Sequence, residues 1–212
     1  MKITKEGFPI LIVLGILTIL AIFSHFKFLT YIFFLLFLFS AYFFRDPVRF
    51  KPKIDNFFVS PADGKVLKIE ELTPDFTNKI CYKISIFMTI FDVHINRAPY
   101  KGKIIDKIYR KGKFFNASLD KASDENEKMD YIIDSGEFKY KLTQIAGLIA
   151  RRIVSYVEIG NEIDTSQKIG MIRFGSRAEV IIPKDIIELS ISEKQQVYAG
   201  ETVLGILKLK ES

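Results

Sequence analysis

Two long apolar runs open the chain, and a period-two alternation of apolar and polar residues fills most of the rest. From Gly7 to Phe26 no Asp, Glu, Lys or Arg appears, and after Lys27 none appears until Arg45. The runs hold about twenty and about seventeen residues, each near the length a helix needs to cross a hydrocarbon core. The polar break Ser24 to Lys27 reads as a turn, which predicts a helical hairpin with short helices over about 8–26 and 28–44. Two consecutive runs with no small-residue cleavage site between them argue against a removed leader. Runs this short fit either a spanning hairpin or one that dips into a single leaflet.

Near Asp46-Pro47 the pattern changes. Pro47 and Pro52 punctuate a linker, and from Phe57 onward apolar and polar residues alternate. GKVLKIEEL, KICYKISIFMTIF, GKIIDKIYRKG, FKYKLTQIAG, RRIVSYVEIG, KIGMIRFG, AEVIIP and TVLGILKLK all read as strands between Gly, Pro, Asn and Asp turns. That spacing predicts a mainly β chain, a compact barrel- or sandwich-like domain over 47–212 behind an N-terminal membrane hairpin over 1–46. The charged stretch 116–130, NASLDKASDENEKMD, breaks the alternation and reads as an exposed loop or short helix. SPADGKV and VYAGETVLG look like the two halves of a lipoyl- or biotinyl-type hammerhead.

Charge narrows the partners. The 212 residues carry a formal net charge of +6, which admits nucleic acid or an anionic membrane surface. Lys2 and Lys5 flank the first apolar run and Arg45, Arg49, Lys51 and Lys53 follow the second, while Lys27 alone marks the turn. Positive-inside bias therefore puts both ends in the cytoplasm, with the β-rich domain expected on the cytoplasmic side of the cell (inner) membrane. The basic cluster attracts anionic headgroups at roughly 1 kcal/mol per nearby cation. Farther on, basic residues interleave with acidic ones and no aromatic RNA-binding signature appears, so nucleic acid is not an expected partner. The single cysteine, Cys81, excludes an internal disulfide framework and reads as a small buried hydrophobe. Two histidines and one cysteine are too few for a zinc site of protein ligands alone, and no metal is expected.

Few residues remain to carry chemistry. Asp63 precedes Gly64 in SPADGKV, where Asp-Gly is also a common hairpin turn. His94 is the one histidine outside the membrane run, with Asp92, Asn96 and Arg97 around it. Arg151 and Arg152 in GLIARRIV fit either an acidic headgroup or a solvated strand. IRFGSRAEV places Gly175 directly before Ser176 but lacks the second glycine and the following helix of a hydrolase elbow. A glycine there suits a different reaction. Gly175 can adopt angles closed to other residues and present its carbonyl to the Ser176 hydroxyl for an N-to-O acyl shift. Alone, a Gly-Ser pair is an ordinary turn.

Taken in order, the apolar hairpin, FFRDP, SPADGKV, FDVHINRAP, ENEK, QIAGLIARRI, GMIRFGSRAEV and VYAGETVLG resemble the phosphatidylserine decarboxylases of the short, membrane-anchored type. The resemblance covers nearly the whole chain. It implies a pyruvoyl-dependent lyase of phospholipid biosynthesis, made as a zymogen that cuts itself between Gly175 and Ser176. The products would be a β chain of 1–175 and an α chain of 176–212. Ser176 would be first a nucleophile and then the precursor of a covalent pyruvoyl group forming a Schiff base with the substrate amine. His94 would act as base and later as acid, and Asp63 would orient it. The reaction implied is decarboxylation of phosphatidylserine to phosphatidylethanolamine and CO₂.

The resemblance also shows departures. Larger relatives carry Leu-Gly-Ser-Thr at the cut and a second histidine three residues after the first, where this chain has Arg97. Either His94 serves both self-cleavage and decarboxylation or Arg97 has a substrate-binding role, and Asp92 rivals Asp63 as the histidine's partner. Arg177, Arg97 and Arg151 are candidate contacts for the lipid phosphate or carboxylate, and a structural ion pair fits Arg177 as well. Expected partners are phosphatidylserine, anionic membrane lipid and the two chains of the chain's own cleavage, with self-association left open. Two other readings remain: a non-enzymatic membrane-anchored, lipoyl-like adaptor, and a pyruvoyl decarboxylase of a serine ether lipid. No lysine at a modification hairpin supports the adaptor.

Overall fold

In the computed structural model the described residues are 2–54, 56–119, 122–147, 153–173 and 175–208. They fall into two compact units, Met1–Val48 and Arg49–Ser212.

The first unit is the hairpin. Strand β1 (Lys2–Ile3) pairs antiparallel with β2 (Arg45–Asp46), and between them run helices α1 (Phe8–Phe23) and α2 (Lys27–Phe43). Leu, Ile and Phe form most of these helices, and α1 accommodates one interior glycine, Gly15. Pro9 falls in the first turn of α1, where its missing N–H leaves no bond unmade. The reversal comes at Ser24–Phe26, with His25 in the left-handed region at φ 56°. Together with the turn before it, α1 forms a 19-residue stretch over Lys5–Phe23 that contains an 18-residue window of mean hydropathy 2.4, long and apolar enough to cross a membrane. Helix α2, at 17 residues, is shorter than that stretch. Both begin and end within a few residues of where the apolar runs place them.

The second unit is mainly β, as the alternation predicts. Its elements are β3 (Phe57–Val59), β4 (Gly64–Leu72), β5 (Cys81–Met88), β6 (Ile95–Arg97), β7 (Gly102–Arg110), the one-turn helix α3 (Ala122–Glu125), β8 (Lys128–Asp134) and β9 (Lys139–Ile145). There follow β10 (Ile153–Ser155), β11 (Glu162–Ile163), β12 (Lys168–Ile172), β13 (Ser176–Pro183), β14 (Ile187–Leu189), β15 (Gln196–Val197) and β16 (Val203–Leu207). Eight strands form one curled antiparallel sheet in the order β11-β7-β8-β9-β13-β5-β4-β15, and two three-stranded sheets, β10-β12-β6 and β14-β16-β3, complete the unit. Phe58, Val66, Ile84, Ile86, Tyr131, Leu142 and Val180 are among the side chains of the shared core.

Two local readings change. Asp63-Gly64 is not a hairpin turn, because β3 pairs with β16 while β4 pairs with β5 and β15; the chain crosses between sheets there. The stretch 116–130 holds the short helix that was one of its two readings, α3, but it is not simply an exposed segment. Asn126, Glu127 and Asp130 are buried, and β8 begins inside it at Lys128. Asn126 is the reason: its side chain takes the Phe115 N–H and donates to the Phe115 and Ala146 carbonyls, fixing this polar segment to β9. Hydrogen bonds of that kind leave no trace in an apolar pattern.

The strand that matters most is β13. It lies between β5 and β9, is buried along its whole length, and starts at Ser176 itself rather than two residues later. Side chains alternate along it. Ala178, Val180 and Ile182 belong to the core, while Arg177 and Glu179 form a buried polar pair.

Candidate active site

Strand crossings bring Gly175-Ser176 and His94 together, and a further one fixes Asp63 against the C-terminal turn. Ser176, first in β13, pairs with Met88, last in β5. His94 lies in the loop leaving β5, and its carbonyl accepts the N–H of Ile172, the last residue of β12. SPADG and YAGE lie side by side, since the Gly200 N–H reaches the Ser60 carbonyl at 2.8 Å and the Ala199 N–H reaches Asp63 Oδ1 at 2.8 Å.

His94 is fully buried, and both its ring nitrogens are engaged. Nδ1 lies 2.9 Å from the Asp92 carbonyl, and Nε2 accepts the Gly175 N–H at 3.2 Å. Because one neighbour is a carbonyl and the other an N–H, the proton belongs on Nδ1, and the basic lone pair of Nε2 is directed at the Gly175-Ser176 segment. The Asp92 carboxylate has other work, accepting the Thr89 N–H at 2.8 Å and the Thr89 hydroxyl at 2.7 Å. Its backbone carbonyl is the group at His94 Nδ1.

Asp63 is buried at 4% exposure. Besides the Ala199 N–H it accepts Arg49 Nη2 at 2.6 Å, and Arg49 Nη1 reaches Glu201 at 2.8 Å. Burial pushes the Asp63 carboxyl above its ordinary value, while the Ala199 N–H and the Arg49 charge pull it back.

The scissile segment carries the expected backbone feature. Gly175 has φ +62°, a conformation L side chains adopt at a cost. Its carbonyl oxygen rests against Gly147, where a Cβ would stand 1.8 Å from it. The Ser176 side chain is completely buried, and its hydroxyl donates to Met88 Sδ at 3.9 Å, a weak contact that leaves the oxygen easily redirected. Met88 Sδ also takes Asn96 Nδ2 at 3.7 Å. Asn96 Oδ1 accepts Gln144 Nε2 at 2.8 Å, and Gln144 Oε1 accepts the Tyr131 hydroxyl at 2.8 Å. This buried polar chain fixes the floor beneath Ser176.

The arginines separate. Arg177 is buried, with Nη1 at 3.3 Å from Glu179 and Nη2 at 3.2 Å from the Leu119 carbonyl, the structural ion pair that the sequence left open beside a lipid contact. Arg97 donates to the Ser166 carbonyl at 2.9 Å. Arg151 lies outside the described residues. Cys81 is buried, and burial raises its thiol to about 11. Among the described residues no cluster of His, Cys, Asp and Glu could hold a metal ion.

Sequence reasoning missed Arg49, Met88, Gln144 and Gly147 as parts of this site. Arg49 was read only as one cation of a basic cluster. No local pattern marks the other three, whose roles come from strand pairing across long separations.

Comparison with known proteins bears on the whole arrangement. A family model described as phosphatidylserine decarboxylase matches residues 36–205. A protein of Oleidesulfovibrio alaskensis is 42% identical over 208 residues, covering 98% of this chain and 95% of its own length. Proteins of Geotalea uraniireducens (41% identical, 97% and 96% covered) and Syntrophus aciditrophicus (42% identical, 96% of each) are similar to the same extent. All three are named phosphatidylserine decarboxylase proenzyme. A match of that length, over a chain whose glycine-serine pair meets His94, places this protein in the phosphatidylserine decarboxylase family.

Proposed function

We propose that this chain decarboxylates phosphatidylserine to phosphatidylethanolamine, after cutting itself between Gly175 and Ser176 to generate its own pyruvoyl group. The observation that carries the proposal is the position of Gly175: left-handed backbone, N–H on His94 Nε2, and Ser176 buried at the head of the central strand.

The self-cleavage balances with groups present here. Ser176 Oγ bonds to the Gly175 carbonyl carbon as its proton passes to His94 Nε2, and the Gly175–Ser176 C–N bond breaks with that nitrogen protonated, leaving an ester. Loss of the residue-176 Cα proton then breaks the Cβ–Oγ bond. Gly175 leaves as a carboxylate and residue 176 as dehydroalanine, whose imine tautomer takes up water, releases ammonia and leaves pyruvoyl. Asp63 supplies a fixed negative charge that favours the imidazolium form of His94.

The residues present fit such a group: it needs no ligand set, only a serine after a glycine free to turn left-handed and shielded from solvent, which Gly175 and the buried Ser176 provide. Once formed, the pyruvoyl carbonyl supplies an electron sink for the pair released as CO₂ departs. His94 is then the one imidazole beside residue 176, placed to return a proton to the product carbon. The β chain would be 1–175 and the α chain 176–212, held together because β13 stays paired to β5 and β9. The apolar hairpin would hold the catalytic unit at the cytoplasmic face of the inner membrane, where the lipid is.

Intact-mass analysis of active protein tests this directly. Two chains divided at 175/176 are expected, the smaller resistant to Edman degradation, and Ser176→Ala should give one full-length chain without activity. Active, uncut protein would sink the proposal.

A further inference from the structure

We infer that Arg49 is the positioning residue for Asp63, clamping that carboxylate between the linker, the bend before Gly64 and the turn at Tyr198–Thr202. The inference rests on the proposed role of Asp63 in self-cleavage.

The geometry is a closed ring. Arg49 Nη2 donates to Asp63 Oδ2 at 2.6 Å and Nη1 to Glu201 Oε2 at 2.8 Å. The other oxygen of each carboxylate takes a backbone donor, Asp63 Oδ1 from Ala199 at 2.8 Å and Glu201 Oε1 from Phe50 at 3.0 Å. Each group is thereby fixed from two directions. Only a guanidinium fork spans two carboxylates this way; an ammonium brings the charge without the fork.

Burial tells why the ring bears on chemistry. The side chains of Arg49 and Asp63 are 9% and 6% exposed, so neither charge is held by water. A buried carboxylate is costly unless paired, and a neutral side chain would tie these segments together at lower cost. Retaining an ionised Asp63 makes sense if its charge is used: two residues before it the Pro61 carbonyl accepts Asn96 Nδ2 at 3.4 Å, and Asn96 shares Met88 Sδ with the Ser176 hydroxyl. Burial would likewise raise Glu201, but the Phe50 N–H and Arg49 outweigh it and hold that carboxyl below its ordinary value. Glu201 is therefore the permanent anion that keeps Arg49 in place. After the proposed cut, Arg49 and Asp63 belong to one chain and Ala199 and Glu201 to the other, so the clamp also crosses the break.

The test follows self-cleavage of the full-length proenzyme made by cell-free synthesis into phosphatidylglycerol-containing vesicles, across about pH 5 to 9. The charged groups facing Asp63 are Arg49 and, from the loop before His94, Asp92; Glu201 lies beyond Arg49, and the site's histidine is His94. Arg49→Met should slow cleavage roughly tenfold to a hundredfold at neutral pH. Removing the cation raises Asp63 further, so the rise of rate with pH should move up by about one unit. Arg49→Lys should restore part of the rate and of the profile. In an Asp63→Asn background, Arg49→Met should add nothing. Thermal melting of Arg49→Met in the uncut Ser176→Ala background checks folding.

The outcomes separate. Asp63→Asn cut at the parental rate removes the premise, whatever Arg49 does. If Asp63→Asn is slow while Arg49→Met is cut at the parental rate, the inference alone fails. It fails equally if the Arg49→Met slowing comes with an unmoved pH profile and persists undiminished in Asp63→Asn.

Discussion

Gly147→Ala is the sharpest perturbation of the scissile bond, because it touches the carbonyl and none of the acid-base groups. A Cβ at residue 147 would lie 1.8 Å from the Gly175 oxygen and 2.8 Å from its carbonyl carbon, both backbone atoms. Contacts under 3.0 Å are essentially never made by real Cβ atoms, so the oxygen must retreat by at least about 1.2 Å. The nearest other neighbour, Ala117 Cβ at 3.4 Å, makes ordinary contact and forces nothing. A shift of about 1 Å at a reacting centre costs on the order of a hundredfold in rate. Self-cleavage of Gly147→Ala should therefore slow by about two orders of magnitude, while the central strand pairing of β13 is retained. The assay is the time course of full-length and cut species by intact mass, beside a thermal melt of the same variant in the Ser176→Ala background. Cleavage at the parental rate by a folded Gly147→Ala protein would refute the placement of the scissile carbonyl. A collapsed melting transition would instead show that the contact serves the fold, and the reasoning about presentation would fall with it.

Other predictions are as direct. Arg177→Met should lower stability by about 2–3 kcal/mol without changing KM for detergent-dispersed phosphatidylserine, since Glu179 loses a buried partner but keeps Ser85 at 3.1 Å and Lys83 at 3.5 Å; a raised KM with unchanged stability would assign Arg177 to the lipid instead. Cys81, raised by burial to about 11, should resist iodoacetamide at neutral pH until the protein unfolds. Because its folded value lies above the ordinary 9.0, its contribution to stability is complete below pH 9 and is lost as pH rises toward about 11. Cys81→Ala should accordingly flatten denaturant midpoints over that interval, and an unchanged alkaline slope would count against the assignment.

The hairpin was legible because its driving force is local. An unbroken apolar run of helix formers specifies a helix wherever it sits, and α1 and α2 fall close to where the charges stop and resume. Long strands such as β4, β5 and β7 were legible for a similar reason, as period two is a property of consecutive residues. Most short strands were not, and neither was the seven-residue β8, which begins inside the charged stretch. β6, β11 and β15 are two or three residues long, too short for any period, and exist only because a partner strand accepts their bonds.

The site divides along the same line. Gly175, Ser176 and His94 are marked by residue type: a glycine that can be left-handed, a hydroxyl next to it, and the one histidine outside the membrane run. Sequence determined that much of the chemistry. Which groups hold them was decided by tertiary structure. Asp92 meets His94 through a carbonyl that every residue owns, Gly147 matters for an absent methyl, and Arg49 reaches Glu201 across 152 positions. Backbone donors, empty volume and long-range ion pairs have no residue-type signature, so only the crossing of the strands could place them.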